Sequence, residues 1–243
     1  MELLGMILAA ALGSVIVAIV IVKYLPLKLR WVASLLLLVL AVFLGTKIYN
    51  GIMEPINFNK NKVAKFAPVI ENLKIIRDAQ VKHYEVTGAY TTNKQGLIQF
   101  IDSAKLALTN TKTIVEKVNR GGGVIVDVEK RVTDTIGYEP VLKYFEGRDY
   151  KNMFAVPNVP GKEFELEIGT VEKVPGLVVP TFRARAHKKD ILKGMNESLV
   201  KQELEDIRTD QIKGEFVSVG SLDEVTTGGN WPPSYDKQID KKE

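Results

Sequence analysis

The sequence predicts an α+β protein in which a two-helix transmembrane hairpin precedes a soluble domain with a long N-terminal helix and a small antiparallel sheet. Three observations predict this fold. Two apolar runs, at 3–22 and 31–46, occupy the first fifty of 243 residues. Apolar residues then recur at helical spacing through 63–86. Apolar and charged residues alternate through 163–168, which is typical of a half-buried strand.

Both apolar runs approach the length of about 20 residues that a membrane helix needs. The second reaches it if the helix continues to Tyr49 and the Lys47 side chain extends toward the interface. Residues 1–8 contain no Lys or Arg, so the first run lacks the basic start of a cleavable signal peptide. Residues 1–50 are therefore predicted to stay as a hairpin anchor.

The loop at 23–30 carries three basic residues, and the positive-inside rule places such short loops in the cytoplasm. Both termini are then outside (N-out, C-out), which predicts an extracytoplasmic soluble domain. A competing count comes from three lysines soon after the second helix: Lys60, Lys62 and Lys65.

Small residues recur at four-residue spacing in both membrane helices, and such rows let helix backbones approach closely. The rows are Gly5, Ala9 and Gly13, then Ala10, Ser14 and Ala18, and in the second helix Ala41 and Gly45. They predict packing of the two helices on each other, which is the simpler interpretation, or a docking face for another membrane subunit.

Charge and composition exclude several classes of function. The chain has a net charge of +4, of which +3 falls in residues 1–50, so the remainder carries 29 basic and 28 acidic side chains. A nucleic-acid partner is not expected for such a balanced domain. The chain has no cysteine and two histidines, which argues against thiolate or multi-histidine metal sites and predicts no cofactor.

Residues 51–62, with Pro55, read as a linker. The soluble domain is predicted at 63–222, before a polar and partly disordered tail at 223–243. The domain is predicted to begin with a helix at 63–86 ended by Gly88 and a helix at 95–108. The middle is predicted to hold a strand at 113–118, a turn at 121–123, a strand or helix at 124–132 and a short helix at 141–145 closed by Gly147.

The last third is predicted to start with strands at 163–168 and 177–186, joined through Pro175 and Gly176. A helix at 191–207, capped by Asp190, and a strand at 216–219 follow. The residues of this helix expected to face inward are Leu192, Met195, Leu199 and Ile207.

Two resemblances follow from these segments. Residues 63–105 join a long amphipathic helix through Tyr84, Gly88 and Tyr90 to a helix that opens Gln-Gly-Leu. This stretch resembles type II secretion pseudopilins just after their membrane helix. The chain as a whole resembles a group of uncharacterised, membrane-anchored bacterial envelope proteins through segments 84–90, 145–150, 176–182 and 219–231. That resemblance implies an envelope location, namely the bacterial inner membrane with the soluble domain in the periplasm, and no known reaction.

Candidate reactive residues each have a simpler structural interpretation. Glu163, Glu165 and Glu167 are predicted to form a solvated strand face that pairs with Arg183 and Arg185, in preference to a glycosidase carboxylate pair. His187 near Asp190 is interpreted as the end of a basic strand beside a helix cap, and His83 as a C-terminal helix cap. Gly121–Gly123 lacks the Lys-Ser/Thr of a phosphate loop. Trp231 is interpreted as a cover for apolar surface or a possible partner contact.

These observations favour a non-enzymatic accessory or scaffold subunit of a bacterial cell-envelope assembly for transport, secretion or motor function. Its expected partners are the lipid bilayer and integral-membrane and periplasmic proteins. One alternative is an extracytoplasmic module that binds peptidoglycan or a secreted polypeptide. A hydrolase with an unrecognised site and a bilayer-anchored viral component are further alternatives.

Overall fold

The structure of the chain is a computed structural model that describes residues 13–20, 23, 26–119, 125–208 and 210–235. These divide into two compact units, Met1–Asn57 and Phe58–Glu243. The fold class is confirmed at the level of mixed helix and sheet, with a long N-terminal helix and small antiparallel sheets.

Helix α1 runs from Leu27 to Thr87 without interruption, over 61 residues. Its first part contains an apolar stretch long enough to cross a membrane, and no residue of that stretch is buried. In the described part of the chain it is the one candidate membrane helix, where a two-helix hairpin was expected. Residues 13–20 of the first apolar run are helical, and 1–12 lie outside the described residues.

Residues 51–62, which were predicted as a linker, are helical and belong to α1. Phe58, Lys62 and Phe66 are buried at a spacing of four residues, so the inward stripe starts before Val63. Tertiary packing of this stripe outweighs the weak helix propensity of the asparagines and of Pro55. The helix ends where expected, with Gly88 in the left-handed region at φ 77°.

The core of the second unit combines the inward stripe of α1 with helix α2 (Lys94–Ser103). Ile70, Leu73 and Ile76 of α1 are fully buried, as is Leu97 of α2. Helix α2 ends at Ser103, so the prediction of helix as far as 108 is wrong. The following residues, rich in Thr and Val, are taken up by strand pairing.

Strands β1 (Lys105–Asn119) and β2 (Ile125–Pro140) form an antiparallel two-stranded ribbon. The strand predicted at 113–118 is confirmed within β1, and for the segment predicted as strand or helix at 124–132 the strand alternative is correct over its described residues, 125–132. The pairing shifts register after Leu108, which leaves Ile136 unpaired as a bulge. The predicted turn at Gly121–Gly123 lies outside the described residues. A 3-10 helix at Val141–Phe145 follows, and Gly147 has φ 77°, as predicted.

Strands β3 (Glu165–Val174), β4 (Leu177–His187) and β5 (Phe216–Gly220) form a three-stranded antiparallel sheet in the order β3-β4-β5. The predicted hairpin and last strand are therefore confirmed. Pro180 lies in β4 beyond the part that β5 covers, which fits its missing backbone donor. Phe164, Phe182 and Val217 are buried in the core, so the sheet closes the core opposite its charged face.

The tail predicted from 223 onwards is packed on the domain as far as the structure describes it. Gly229 forms a bridge with Val219, and Tyr235 is buried against Phe66 with the ring centroids 6.3 Å apart. Residues 236–243 of the predicted tail lie outside the described part.

Candidate functional site

A cleft of about 600 Å³ lies between two short helices, α3 (Lys188–Ile191) and α4 (Glu197–Leu204). Its apolar lining comes from Leu192, Met195, Val200 and Leu204. Charged residues also line it: Lys189, Lys193, Lys201 and Glu197. An apolar cleft of this size with a few charged groups is typical of small-molecule sites.

The local sequence explains why two short helices replace the single helix predicted at 191–207. His187, and not Asp190, caps the first helix, because its Nδ1 accepts the backbone N–H of Lys189 at 3.1 Å. Gly194 then takes φ 84°, which ends the helical path. Asn196 starts the second helix by accepting the N–H of Leu199 at 3.1 Å. The prediction of Ile207 facing inward is also wrong, since that side chain is 82% exposed.

A buried charge cluster holds the walls of the cleft in place. The Lys62 Nζ donates to Glu203 Oε2 at 2.7 Å and to Gln211 Oε1 at 2.6 Å. The Lys188 Nζ donates to Glu203 Oε1 at 3.3 Å, to the Glu203 carbonyl at 2.9 Å and to the Ile212 carbonyl. One carboxylate therefore joins α4 to both α1 and α3. All three ionised side chains are at most 4% exposed.

Burial shifts the pKa values of the groups in and around this cluster. Removal from water lowers the pKa of Lys188, against the opposing effect of the Glu203 carboxylate. Burial also raises the pKa of Tyr235, whose hydroxyl has no hydrogen-bond partner in the described structure. At the end of α4, hydrogen bonds from the Arg208 side chain lower the pKa of Asp206 to about 2.

A second lysine of α1, Lys65, fixes the loop between α3 and α4. The Lys65 Nζ donates to the Ile191 carbonyl at 3.2 Å and to the Lys193 carbonyl at 2.9 Å. These carbonyls follow a short helix and would otherwise lack partners. The hydrogen bonds of Lys62, Lys65 and Lys188 thus stabilise the helices that form the cleft, whereas other residues line it.

The three lysines that line the cleft differ from Lys62, Lys65 and Lys188, which all donate hydrogen bonds to other residues. Within the described residues, Lys189, Lys193 and Lys201 form no ion pair, and all three are exposed. Ammonium groups beside a concave apolar surface can bind an anionic head group while the apolar part of the ligand is buried. The arrangement suits an amphipathic anion and offers no nucleophile–base pair.

The predicted cross-strand charge pairs on the sheet are confirmed. Glu167 accepts from Arg183 at 2.6 Å, and Glu165 accepts from Arg185 at 2.8 Å. Glu163 instead lies 2.7 Å from the ammonium of Lys94. The three carboxylates are therefore occupied by cations on the solvated face.

Both histidines take the structural positions expected. The His83 Nδ1 donates to the Ala89 carbonyl at 2.7 Å, just past the end of α1. His187 caps α3, with its Nε2 at 3.8 Å from a Glu215 oxygen. The described residues contain no cluster of three or more His, Asp or Glu side chains arranged to hold a metal ion.

The remaining predicted site residues belong to the membrane helices, apart from Trp231, and the structure describes only some of them. Gly5, Ala9 and Ala10 lie outside the described part of the chain. Gly13 and Gly45 have open space where a Cβ would project, while Ser14, Ala18 and Ala41 are exposed on helices, so close helix packing at these rows stays a prediction. Trp231 packs against the core and leaves no room for a side chain at Gly229.

Comparison with protein-family models, with curated proteins and with solved structures gives no match to this chain. The site therefore rests on its own geometry. Sequence reasoning missed both the cleft and the buried cluster. One signal was present: Lys62 stands between Phe58 and Phe66 on an apolar stripe, where a charged residue needs a buried partner.

Proposed function

We propose that this chain is a membrane-anchored, non-enzymatic accessory subunit of a bacterial cell-envelope assembly. The proposed anchor consists of two helices, and both termini of the chain lie on the periplasmic side. The observation that carries it is α1: one helix supplies an exposed apolar stretch of membrane-spanning length and, further along, the central stripe of a folded domain's core.

The exposure of the first part of α1 argues against its being the core helix of a soluble protein. Leu36 and Phe43 are 65% and 54% exposed, whereas Ile70 and Leu73 on the same helix are fully buried. A contiguous apolar surface of this extent is unfavourable in water and favourable in a bilayer. The chemically active side chains, in contrast, are engaged in caps and ion pairs, which supports binding over catalysis.

Membrane anchoring is tested with a charged substitution in the apolar stretch. Leu12→Lys together with Leu40→Lys places one charge near the centre of each of the two predicted spans, at about 2.5–3.5 kcal/mol each. We expect loss from the membrane fraction after alkaline carbonate washing. Ile207→Lys is the matched control, because it changes an exposed apolar residue in the second unit and should leave the chain in the membrane. Retention of the double variant would contradict the proposed anchor.

Orientation has a separate test. An alkaline phosphatase reporter, which folds only in the periplasm, is fused after Glu243. Activity is expected for a C-out chain. An inactive phosphatase fusion would contradict this orientation if a second reporter, one that is active only in the cytoplasm, is active when fused at the same position.

A second function, a ligand-binding module, is favoured specifically by the cleft at α3 and α4. Its apolar lining and three exposed lysines fit a single acyl chain that carries an acidic head group. The ammonium groups would bind the head group, and the half-buried Met195 and Leu204 would contact the chain.

This second function is tested on the full chain in phosphatidylcholine nanodiscs with a diazirine-bearing hexadecanoate. We expect photolabelling at 189–204, competition by hexadecanoate and none by neutral hexadecanol. Lys193→Glu with Lys201→Glu should abolish the labelling. Lys151→Glu with Lys213→Glu, at exposed lysines away from the cleft, should not. Photolabelling that is unchanged in the Lys193→Glu, Lys201→Glu variant would contradict the proposed site.

A further inference from the structure

The ribbon of β1 and β2 has two unpaired strand edges. From Ala107 to Val118 every residue of β1 is exposed, and no other helix or strand of the described chain packs along the ribbon. Only its base joins the core, through Leu106. Edges of this length are normally blocked or paired, because their free N–H and C=O groups recruit another strand.

The outer edge of β1 is complementary to itself. If two copies pair antiparallel about a two-fold axis at Ile114, residue 114 lies opposite its own copy. Lys112 then lies opposite Glu116 of the second copy, and the same pair forms again on the other side of the axis. Opposite charges at directly facing positions stabilise such a pair of strands.

Shifting this register is unfavourable or neutral. A shift of one residue sets Lys112 opposite Lys117, which places like charges together. A shift of the axis to Thr113 or Val115 leaves Lys112 and Glu116 without a facing opposite charge. The complementary register spans 109–119, enough for about ten inter-chain backbone hydrogen bonds.

The apolar residues of the ribbon agree with the same arrangement. Ile114 and Val118 of β1 share a face with Val128 and Val132 of β2, as the cross-strand register requires. Pairing two ribbons through β1 would place these residues of both copies on one face of a four-stranded sheet. Glu116 also lies 3.6 Å from Lys130 in its own chain, where both side chains are more than half exposed.

We propose that β1 is a homodimerisation edge, through which two copies of this chain join their ribbons in antiparallel register about Ile114. The occupant of the free edge is thus a second copy of the same strand. This inference rests on the ribbon alone and is independent of the membrane anchor and of the cleft.

The absence of cysteine makes a direct test possible in the full chain purified in detergent. Ile114→Cys should form a disulfide-linked dimer under mild oxidation, because facing residues of paired strands lie within reach of a disulfide. Lys130→Cys is the matched control, since residue 130 faces Ile114 within the ribbon but belongs to the other strand. Cross-linking at 130 without cross-linking at 114 would overturn the proposal.

Charge reversal tests the register. In the Ile114→Cys background, Lys112→Glu and Glu116→Lys should each weaken the dimer about tenfold, because each creates two like-charge contacts. The double reversal, Lys112→Glu with Glu116→Lys, should restore cross-linking, since it exchanges the two signs. The exposed contact with Lys130 changes little in this exchange. A double variant no better than the single variants would overturn the register.

Discussion

The Glu203→Gln substitution tests the buried charge cluster most sharply. Glu203 is the carboxylate between two ammonium groups, 2.7 Å from Lys62 and 3.3 Å from Lys188, and it is 4% exposed. Glutamine keeps the shape and removes the charge, so two buried cations remain without a counter-charge in the described cluster. Removing one partner of a buried ion pair costs about 3–5 kcal/mol. For a domain of this size, each kcal/mol lowers the Tm by about 2–4 °C, so a loss of roughly 6–20 °C is expected.

The assay is thermal unfolding of the full chain in detergent, followed by the fluorescence of Trp231. The chain has two tryptophans, so Trp31→Phe removes the second signal. Glu165→Gln is the matched control, because it breaks an exposed ion pair and should cost less than about 1 kcal/mol.

Adding Lys62→Met to Glu203→Gln should recover part of the loss, since one uncompensated cation is then removed. Equal Tm values for the two Glu→Gln variants, or further destabilisation by Lys62→Met in this background, would refute the reasoning.

Three further predictions concern the backbone and the pH dependence. The Tm of Gly220→Ala should be well below the Tm of Gly176→Ala. Both glycines have positive φ, which strains an alanine by about 1–2 kcal/mol, but only at Gly220 would the added Cβ collide with a carbonyl of β4. Because its pKa is lowered to about 2, Asp206 stabilises the fold above the unfolded value of 3.8 and loses this effect as the pH falls toward 2, so Asp206→Asn should flatten the acid end of a Tm–pH profile. Burial raises the pKa of Tyr235, so the fold loses stability as the pH rises above the unfolded value of 10, where the phenol ionises first in the unfolded chain. Tyr235→Phe should therefore raise the Tm at pH 10.5 relative to the parent chain, and it should not lower the Tm at pH 7, because the buried hydroxyl has no partner in the described structure.

Periodicity predicted the parts of the fold in which one face is buried. The stripe of Phe66, Ile70 and Leu73 and the alternation around Phe164 both reappear as buried faces. Turn chemistry was equally informative, since Gly88 and Gly176 take the positive φ values expected. These signals are local, and the physics that produces them acts over a few residues.

The failures come from interactions between distant residues. Residues 51–62 look like a linker because Pro55 and the asparagines favour turns, yet the buried Phe58 and Lys62 hold them in α1. The ribbon has no buried face along most of its length, so no alternation marked its full extent. Glu203 and Lys188 are separated from Lys62 by more than a hundred residues, and no spacing rule connects them.

In the candidate site, too, local features could be predicted and features that depend on distant residues could not. The role of His83 at the end of α1 could be predicted from its position, whereas the capping role of His187 could not, because Asp190 was expected to cap that helix. The cleft could not, because it results from the break at Gly194 and from the positions of α3 and α4, which the buried cluster determines.

The proposal that this chain is a membrane-anchored subunit of a larger assembly can be tested by purifying the tagged full chain from its native membranes in mild detergent. Light scattering then gives the mass of the particle, and mass spectrometry gives its composition. Integral-membrane partners are expected to be retained in the particle at fixed stoichiometry. A monodisperse particle that contains only copies of this chain would contradict it.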